Sequence, residues 1–183
     1  MTYILLISSL LIVFFGVINL IRMTVFLIGS DIYYFKKHLR RHKKTEYLPR
    51  ISIVIPAYNE EKSIATCIGS VLTNNYPQDN VQIIVVDDGS SDSTSEIVKN
   101  IIQSQTFKNI SLISQVNLGK AHALNNGIKN YATGELVMCL DADSYLDENA
   151  LLNVVSYFGD RKVMAVASNV KIAKSKGFLN LIQ

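Results

Sequence analysis

Cysteine is scarce: two residues in 183, Cys67 and Cys139, far apart and without metal-ligand spacing. That excludes a disulfide framework and a cysteine-based zinc site, and leaves both thiols, set in apolar runs, as expected small core residues. No basic residue precedes the first long apolar run, and no A-x-A-like site follows it, so a cleaved signal peptide does not fit. Repeats and low-complexity tracts are missing apart from one short basic stretch. A positively charged body is missing too. Net charge is +3, but residues 1–44 carry +6 and residues 45–183 carry −3. A mildly acidic body argues against general nucleic-acid binding, and no nucleic-acid partner is expected.

What is present begins with residues 4–28, ILLISSLLIVFFGVINLIRMTVFLI, which are almost continuously apolar. About 20 such residues at 1.5 Å each cross a bilayer core, and a buried core helix is rarely apolar on every face for this length. The run is followed by KKHLRRHKK at 36–44. Positive charge on the C-terminal side of a span predicts that this side is cytoplasmic. The expected organisation is a single-pass signal anchor in the cell membrane over residues 1–30, a basic juxtamembrane linker over 31–49 and a cytoplasmic body over 50–183. The linker is either a solvated spacer or a contact to anionic membrane lipid.

From Pro49 onward, strand-like and helix-like runs alternate. ISIVI (51–55), VQIIVVDDGS (81–90), ISLIS (110–114), ELVMCLDADS (135–144) and VMAVAS (163–168) read as strands. Helical periodicity or helix-start residues mark 60–75, 91–103, 117–132 and 147–158, with another helix beginning at 177–183. Alternating elements with continuously apolar strands predict an α/β fold, a mostly parallel sheet flanked by helices. In such folds ligands bind outside the carboxyl ends of the strands.

The polar motifs fall at those ends. PAYNEE (56–61), DDGSSD (87–92), NLGK (117–120) and DAD (141–143) follow the first four strands. Any one of them could simply cap the next helix. Together they make a crevice of converging carboxylates that repel one another unless a cation joins them. Mg²⁺ or Mn²⁺ suits such a site, since Mg²⁺ typically takes one or two carboxylates plus substrate phosphates. Gly119 permits close backbone approach. Lys120, at a helix start that disfavours positive charge, is better explained by a bound anion than by solvation alone.

In this order and spacing, IVIPAYNEE (53–61), VVDDGSSDST (85–94), NLGKAHALNNGI (117–128) and CLDADS (139–144) resemble family 2 glycosyltransferases. Their fold is the Rossmann-like nucleotide-diphospho-sugar transferase, or GT-A, fold. The resemblance covers about residues 50–182. The span ahead of the domain and the stretch ASNVKI (167–172) look most like the processive synthases of poly-N-acetylglucosamine, chitin, hyaluronan or cellulose. It implies that Pro56, Ala57, Tyr58 and Glu60 line a nucleoside pocket and that Asp88 accepts the uracil imide N–H, with Asp87 supporting the turn. It further implies Lys120 near the diphosphate, Asp141 on the ribose or donor sugar, and Asp143 on the metal. Asn169 is a further candidate, although Ser168 stands before it where the synthases usually have glycine.

The family's later acidic motif, whose aspartate is the general base toward the acceptor, has no counterpart here, and neither has Q-x-x-R-W. Asp147 and Glu148 read as a helix first turn. The expectation is therefore the donor-binding half of an inverting, UDP-sugar-using transferase of cell-surface polysaccharide, truncated within GFLNLIQ (177–183). A second chain or an intact synthase would supply the acceptor half. The alternatives are a nucleotide-sugar binding module without turnover, a non-processive lipid-linked sugar transferase, and a degraded fragment.

Overall fold

The computed structural model describes residues 2–39, 47–104 and 109–169. The chain divides into two units, Met1–Lys43 and Lys44–Gln183. The first is a helix, α1, over Thr2–Leu39. Its apolar stretch, Leu6–Ile32, covers 27 residues, about 40 Å at 1.5 Å per residue. Every side chain in that stretch is exposed. Three polar side chains within it turn back on their own helix: Ser9 donates to the Leu6 carbonyl, Asn19 to Phe15 and Thr24 to Leu20. That arrangement suits hydrocarbon, where polar groups need partners within the segment. Among the described residues, this is the one helix long and apolar enough to cross a membrane.

The second unit holds a four-stranded parallel sheet in the order β3-β2-β1-β4. The strands are β1 (Ile51–Ala57), β2 (Val81–Asp87), β3 (Ile110–Ser114) and β4 (Leu136–Cys139). Helices α2 (Ile64–Leu72), α3 (Thr94–Ser104), α4 (Lys120–Asn130) and α5 (Ala150–Val155) connect or follow them. β1 is buried along its whole length, because both faces are covered. On one face Ile51, Ile53, Ile55, Val81, Ile83 and Val85 pack against Ile64, Cys67, Ile68, Val98 and Leu151. On the other, Val54, Ile84 and Val86 meet Ala123 of α4. Period-two alternation between two apolar layers is why these strands read as unbroken hydrophobic runs.

α4 lies close to the sheet because Gly127 permits it. A Cβ there would come within 2.6 Å of Val54 Cγ1 and 3.1 Å of Val86 Cγ2. The turn from α4 to β4 is fixed by a polar cluster. Buried Ser52 donates to Gln82 Oε1 at 2.6 Å and accepts the N–H groups of Thr133 (3.1 Å) and Gly134 (2.8 Å).

Several sequence expectations change. The strand expected over 135–144 pairs only over Leu136–Cys139, and it is not buried on both faces. Leu136 and Met138 pack on the larger core, whereas Val137 and Cys139 are exposed. The cause is that α4 lies over β1 and β2, leaving the outer side of β4 uncovered. Cys139 is therefore not a core residue, while Cys67 is. Residues 163–168 form no strand: apolar character makes a strand only where an edge pairs with it, and Met164 stands 88% exposed. Asp147 and Glu148 precede α5 rather than opening it; the Asp147 carbonyl accepts the Ala150 N–H. The expected helix at 177–183, the second half of the stretch 167–172 and the end of the basic cluster lie outside the described residues.

Candidate donor-binding site

β2 and β3 lie to one side of β1 and β4 to the other, so the chain reverses its direction of winding between β1 and β4. Loops leaving neighbouring strands on either side of that point diverge and open a crevice at the carboxyl ends. One cleft lies there, lined by Pro56, Ala57, Tyr58, Glu60, Asp88, Lys120 and residues 141–143. Four separate sequence motifs thus converge on one cavity.

The β1 loop and the β2 loop are laced together. Asn59 adopts a left-handed conformation (φ 56°). Its main-chain N–H donates to Ser90 Oγ at 2.9 Å, and its side-chain oxygen accepts the Ser91 N–H at 2.8 Å. The N–H groups of Glu60 and Glu61 donate to Thr94 Oγ1 (2.8 Å) and Asp92 Oδ2 (3.1 Å), and the Ser93 N–H returns to Glu61 Oε2 (3.2 Å). Asparagine is among the few non-glycine residues that tolerate this backbone region. The lacing holds Tyr58, half exposed, at the cleft. It also holds Glu60, whose carboxylate accepts the Ser63 hydroxyl at 2.5 Å. Asn59, Glu61, Ser90, Asp92 and Thr94 were visible as motif letters. Their reciprocal bonding was not, because the loops are about 30 residues apart in sequence and meet only when β1 and β2 pair.

The two acids ending β2 part company. Asp87 is buried and lies outside the cleft lining; its carboxylate accepts the Ser90 N–H at 2.9 Å and the Ser95 hydroxyl. Asp88 lines the cleft, yet its oxygens are already engaged. Oδ1 accepts Gln115 Nε2 (2.8 Å) and the Leu118 N–H (2.9 Å), and Oδ2 accepts the Gly119 N–H (2.7 Å). Burial alone would raise this carboxyl's pKa; those three donors, with His122 nearby, hold it below the ordinary carboxylate range. Gln115 was not anticipated. It sits just past β3, and its oxygen also accepts Asn126 of α4 at 2.7 Å.

At the far wall, Lys120 Nζ lies 2.6 Å from Asp141 Oδ1, with both side chains more than half exposed. The hydrogen bond to Asp141 raises the lysine pKa against partial desolvation, and the charges of Asp141 and Asp143 add to it. A lysine at a helix start thus has a carboxylate partner from another strand, which no local pattern could reveal. The DAD motif forms a tight turn in which the Ser144 N–H donates to the Asp141 carbonyl at 3.0 Å. Asn169 is exposed and does not line the cleft.

The donor set suits a hard divalent cation that keeps coordination sites for a ligand. Among the described residues, no three His, Cys, Asp or Glu side chains are grouped as a protein-only metal site. Asp141 and Asp143 offer carboxylate oxygen alone. One or two carboxylates with phosphate completing the shell is how Mg²⁺ is usually held at phosphate-transferring sites.

Comparison with known proteins agrees with this geometry. The glycosyl transferase family 2 model matches residues 52–182. A poly-beta-1,6-N-acetyl-D-glucosamine synthase of Staphylococcus epidermidis is 36% identical over 169 residues, covering 88% of this chain and 40% of the relative. One from Staphylococcus aureus is 36% identical over 164 residues, covering 86% and 39%. The chain therefore spans about two-fifths of these curated relatives. Among solved structures, a Pyrobaculum calidifontis mannosyltransferase in complex with GDP-Man and Mn²⁺ superposes with TM-score 0.62 at 29% identity, over 78% of this chain and 44% of that one. Staphylococcus aureus TarS in complex with UDP-GlcNAc gives 0.56 at 27%, over 62% and 32%. With its parallel sheet, its cleft at the strand ends and the family model matched along most of its length, the chain belongs to glycosyl transferase family 2.

Proposed function

We propose that this chain is the donor-binding part of a membrane-anchored, inverting glycosyltransferase that takes sugar from a UDP-sugar for a growing cell-surface polysaccharide. The observation that carries this reading is the convergence of Tyr58, Glu60, Asp88, Lys120, Asp141 and Asp143 on a single cleft at the switch point of the sheet. Tyr58 offers an aromatic face for a nucleobase, with Pro56, Ala57 and Glu60 forming the adjoining wall. Asp88 stands at the base end, where one lone pair on Oδ2 remains for an imide N–H. Lys120 supplies the fixed positive charge of the diphosphate end, and Asp141 orients the ribose or sugar hydroxyls. Asp143 is the residue to hold Mg²⁺ or Mn²⁺. When bound, such an ion offsets the negative charge that grows on the departing nucleoside diphosphate as the glycosidic bond breaks.

The exposed apolar helix supports anchoring in a membrane, and the basic residues after it support a cytoplasmic body. The base that would deprotonate the acceptor is assigned to the part of the synthases that this chain does not span, in a longer form of the chain or in a second chain. The test is a calorimetric titration of UDP into the detergent-solubilised chain, with Mn²⁺ and with chelator, beside Asp143→Ala. Metal-dependent binding that disappears in the variant is expected. A folded wild type that binds no UDP in Mn²⁺ would remove the donor-site reading.

A further inference from the structure

We propose that Asp88 is a positioning residue for the diphosphate end of the cleft. It acts through the main chain of Leu118 and Gly119 on Lys120, whichever nucleobase enters; this rests on the donor-site reading above. Three of the four lone-pair directions of its carboxylate are taken by Gln115, Leu118 and Gly119, and the residue is only 3% exposed. Two of those donors are the peptide N–H groups immediately ahead of Lys120.

Apolar burial does not hold that stretch in place, since residues 116–119 are all exposed. Val116 is 79% exposed and Leu118 60%. Gly119 has φ +91°, with open space where a Cβ would project. Ala123, one turn into α4, is buried against the sheet, but packing leaves the approach to the helix over 116–119 unfixed. The charged hydrogen bonds from Leu118 and Gly119 fix it, and such bonds are about twice as strong as neutral ones. They also place a carboxylate at the N-terminus of α4, where the helix dipole favours negative charge. Lys120 then reaches across to Asp141 at 2.6 Å. The ends of β2 and β4 are thereby tied through one loop, and the lysine is aimed by a residue it does not touch.

Asp88→Asn keeps size and removes charge. It also turns one acceptor oxygen into an NH₂ group facing a peptide N–H, so the loop must let go on one side. Mn²⁺-dependent binding of inorganic pyrophosphate, UDP and GDP to the full chain in detergent separates positioning from base reading. Asp88→Asn is expected to weaken pyrophosphate binding about tenfold, the scale of a lost charged hydrogen bond, and UDP binding by at least that factor, because the base contact at Oδ2 is lost as well. In a Lys120→Met background the same change should alter pyrophosphate binding by less than about twofold, because the route is already cut.

Weaker UDP binding with pyrophosphate untouched would overturn the proposal and leave Asp88 a base reader only. Full additivity in the double variant would overturn it too. A wild type that binds UDP but not pyrophosphate sinks this proposal alone; one that binds neither sinks the donor site with it. Should Asp88→Asn misfold, amide exchange in the wild type decides. The Leu118 and Gly119 N–H groups must exchange slowly despite the exposure of their loop, and exchange of both at the free-peptide rate would refute the anchor.

Discussion

Gly127→Ala is a change for which helix propensity and tertiary packing predict opposite signs. Alanine is favoured over glycine in a helix interior by about 1 kcal/mol, so Gly127 in the middle of α4 looks like an easy place to gain stability. The sheet beneath forbids it. The new Cβ would sit 2.6 Å from Val54 Cγ1 and 3.1 Å from Val86 Cγ2. Both valines are fully buried in the central strands, and β-branched side chains have little rotamer freedom with which to yield. Overpacking of this kind costs about 1–3 kcal/mol, which leaves a net loss of about 1 kcal/mol after the propensity gain. For a unit of this size that is a fall in Tm of about 3–5 °C.

Gly69 in α2 is the control, since nothing lies within 4 Å of its Cβ position. Gly69→Ala should raise Tm by a few degrees, up to the full propensity term of about 1 kcal/mol. The assay is scanning calorimetry of the detergent-solubilised chain and its two variants, scan rate held constant. If Gly127→Ala is stabilised as much as Gly69→Ala, α4 does not sit where the close approach requires, and the packing argument fails. The consequence reaches the cleft, because α4 carries Lys120. A helix lifted off β1 and β2 should also weaken Mn²⁺-dependent nucleotide binding in Gly127→Ala and leave it unchanged in Gly69→Ala.

The two thiols should differ sharply. Burial pushes Cys67 up to about 12, with the carboxylates of Asp143, Asp141 and Glu60 adding to the shift, whereas Cys139 is exposed on β4. A disulfide reagent at pH 8 should modify one thiol in the native chain and two after denaturation; fast modification of both in the native state would contradict the buried position of Cys67. Acid should loosen the loops before it unfolds the sheet. Despite desolvation, Asp88 and Asp92 are held below the ordinary carboxylate range by their hydrogen bonds. Their contribution is whole above the unfolded value of about 3.9 and is lost as pH falls below it toward the depressed values. The urea midpoint should therefore drop as pH falls below about 4, and less steeply in Asp88→Asn; equal slopes would refute the linkage.

The sequence by itself determined the alternation of buried strands and amphipathic helices, the apolar span and the four motifs at strand ends. Each is local: a period, a run length or a cap is set by residues within one turn or one strand. Strand-helix alternation was enough to place the four motifs on one rim, and the resemblance to the family singled out Pro56, Ala57, Tyr58, Glu60, Asp88, Lys120, Asp141 and Asp143 within them. Only the tertiary structure decided how they are held. The Lys120–Asp141 pair joins a helix start to a strand end across the switch point, and Gln115 reaches Asp88 from the next strand. Strand order is invisible to periodicity, so the exposure of Cys139 on the uncovered side of β4 was invisible as well. The unpaired run at 163–168 makes the same point: hydrophobicity proposes a strand, and a free edge in the right place grants one. Side-chain chemistry along the chain fixed which groups reach the cleft; strand pairing and helix placement fixed which of them touch, because those contacts are made between segments the local code never compares.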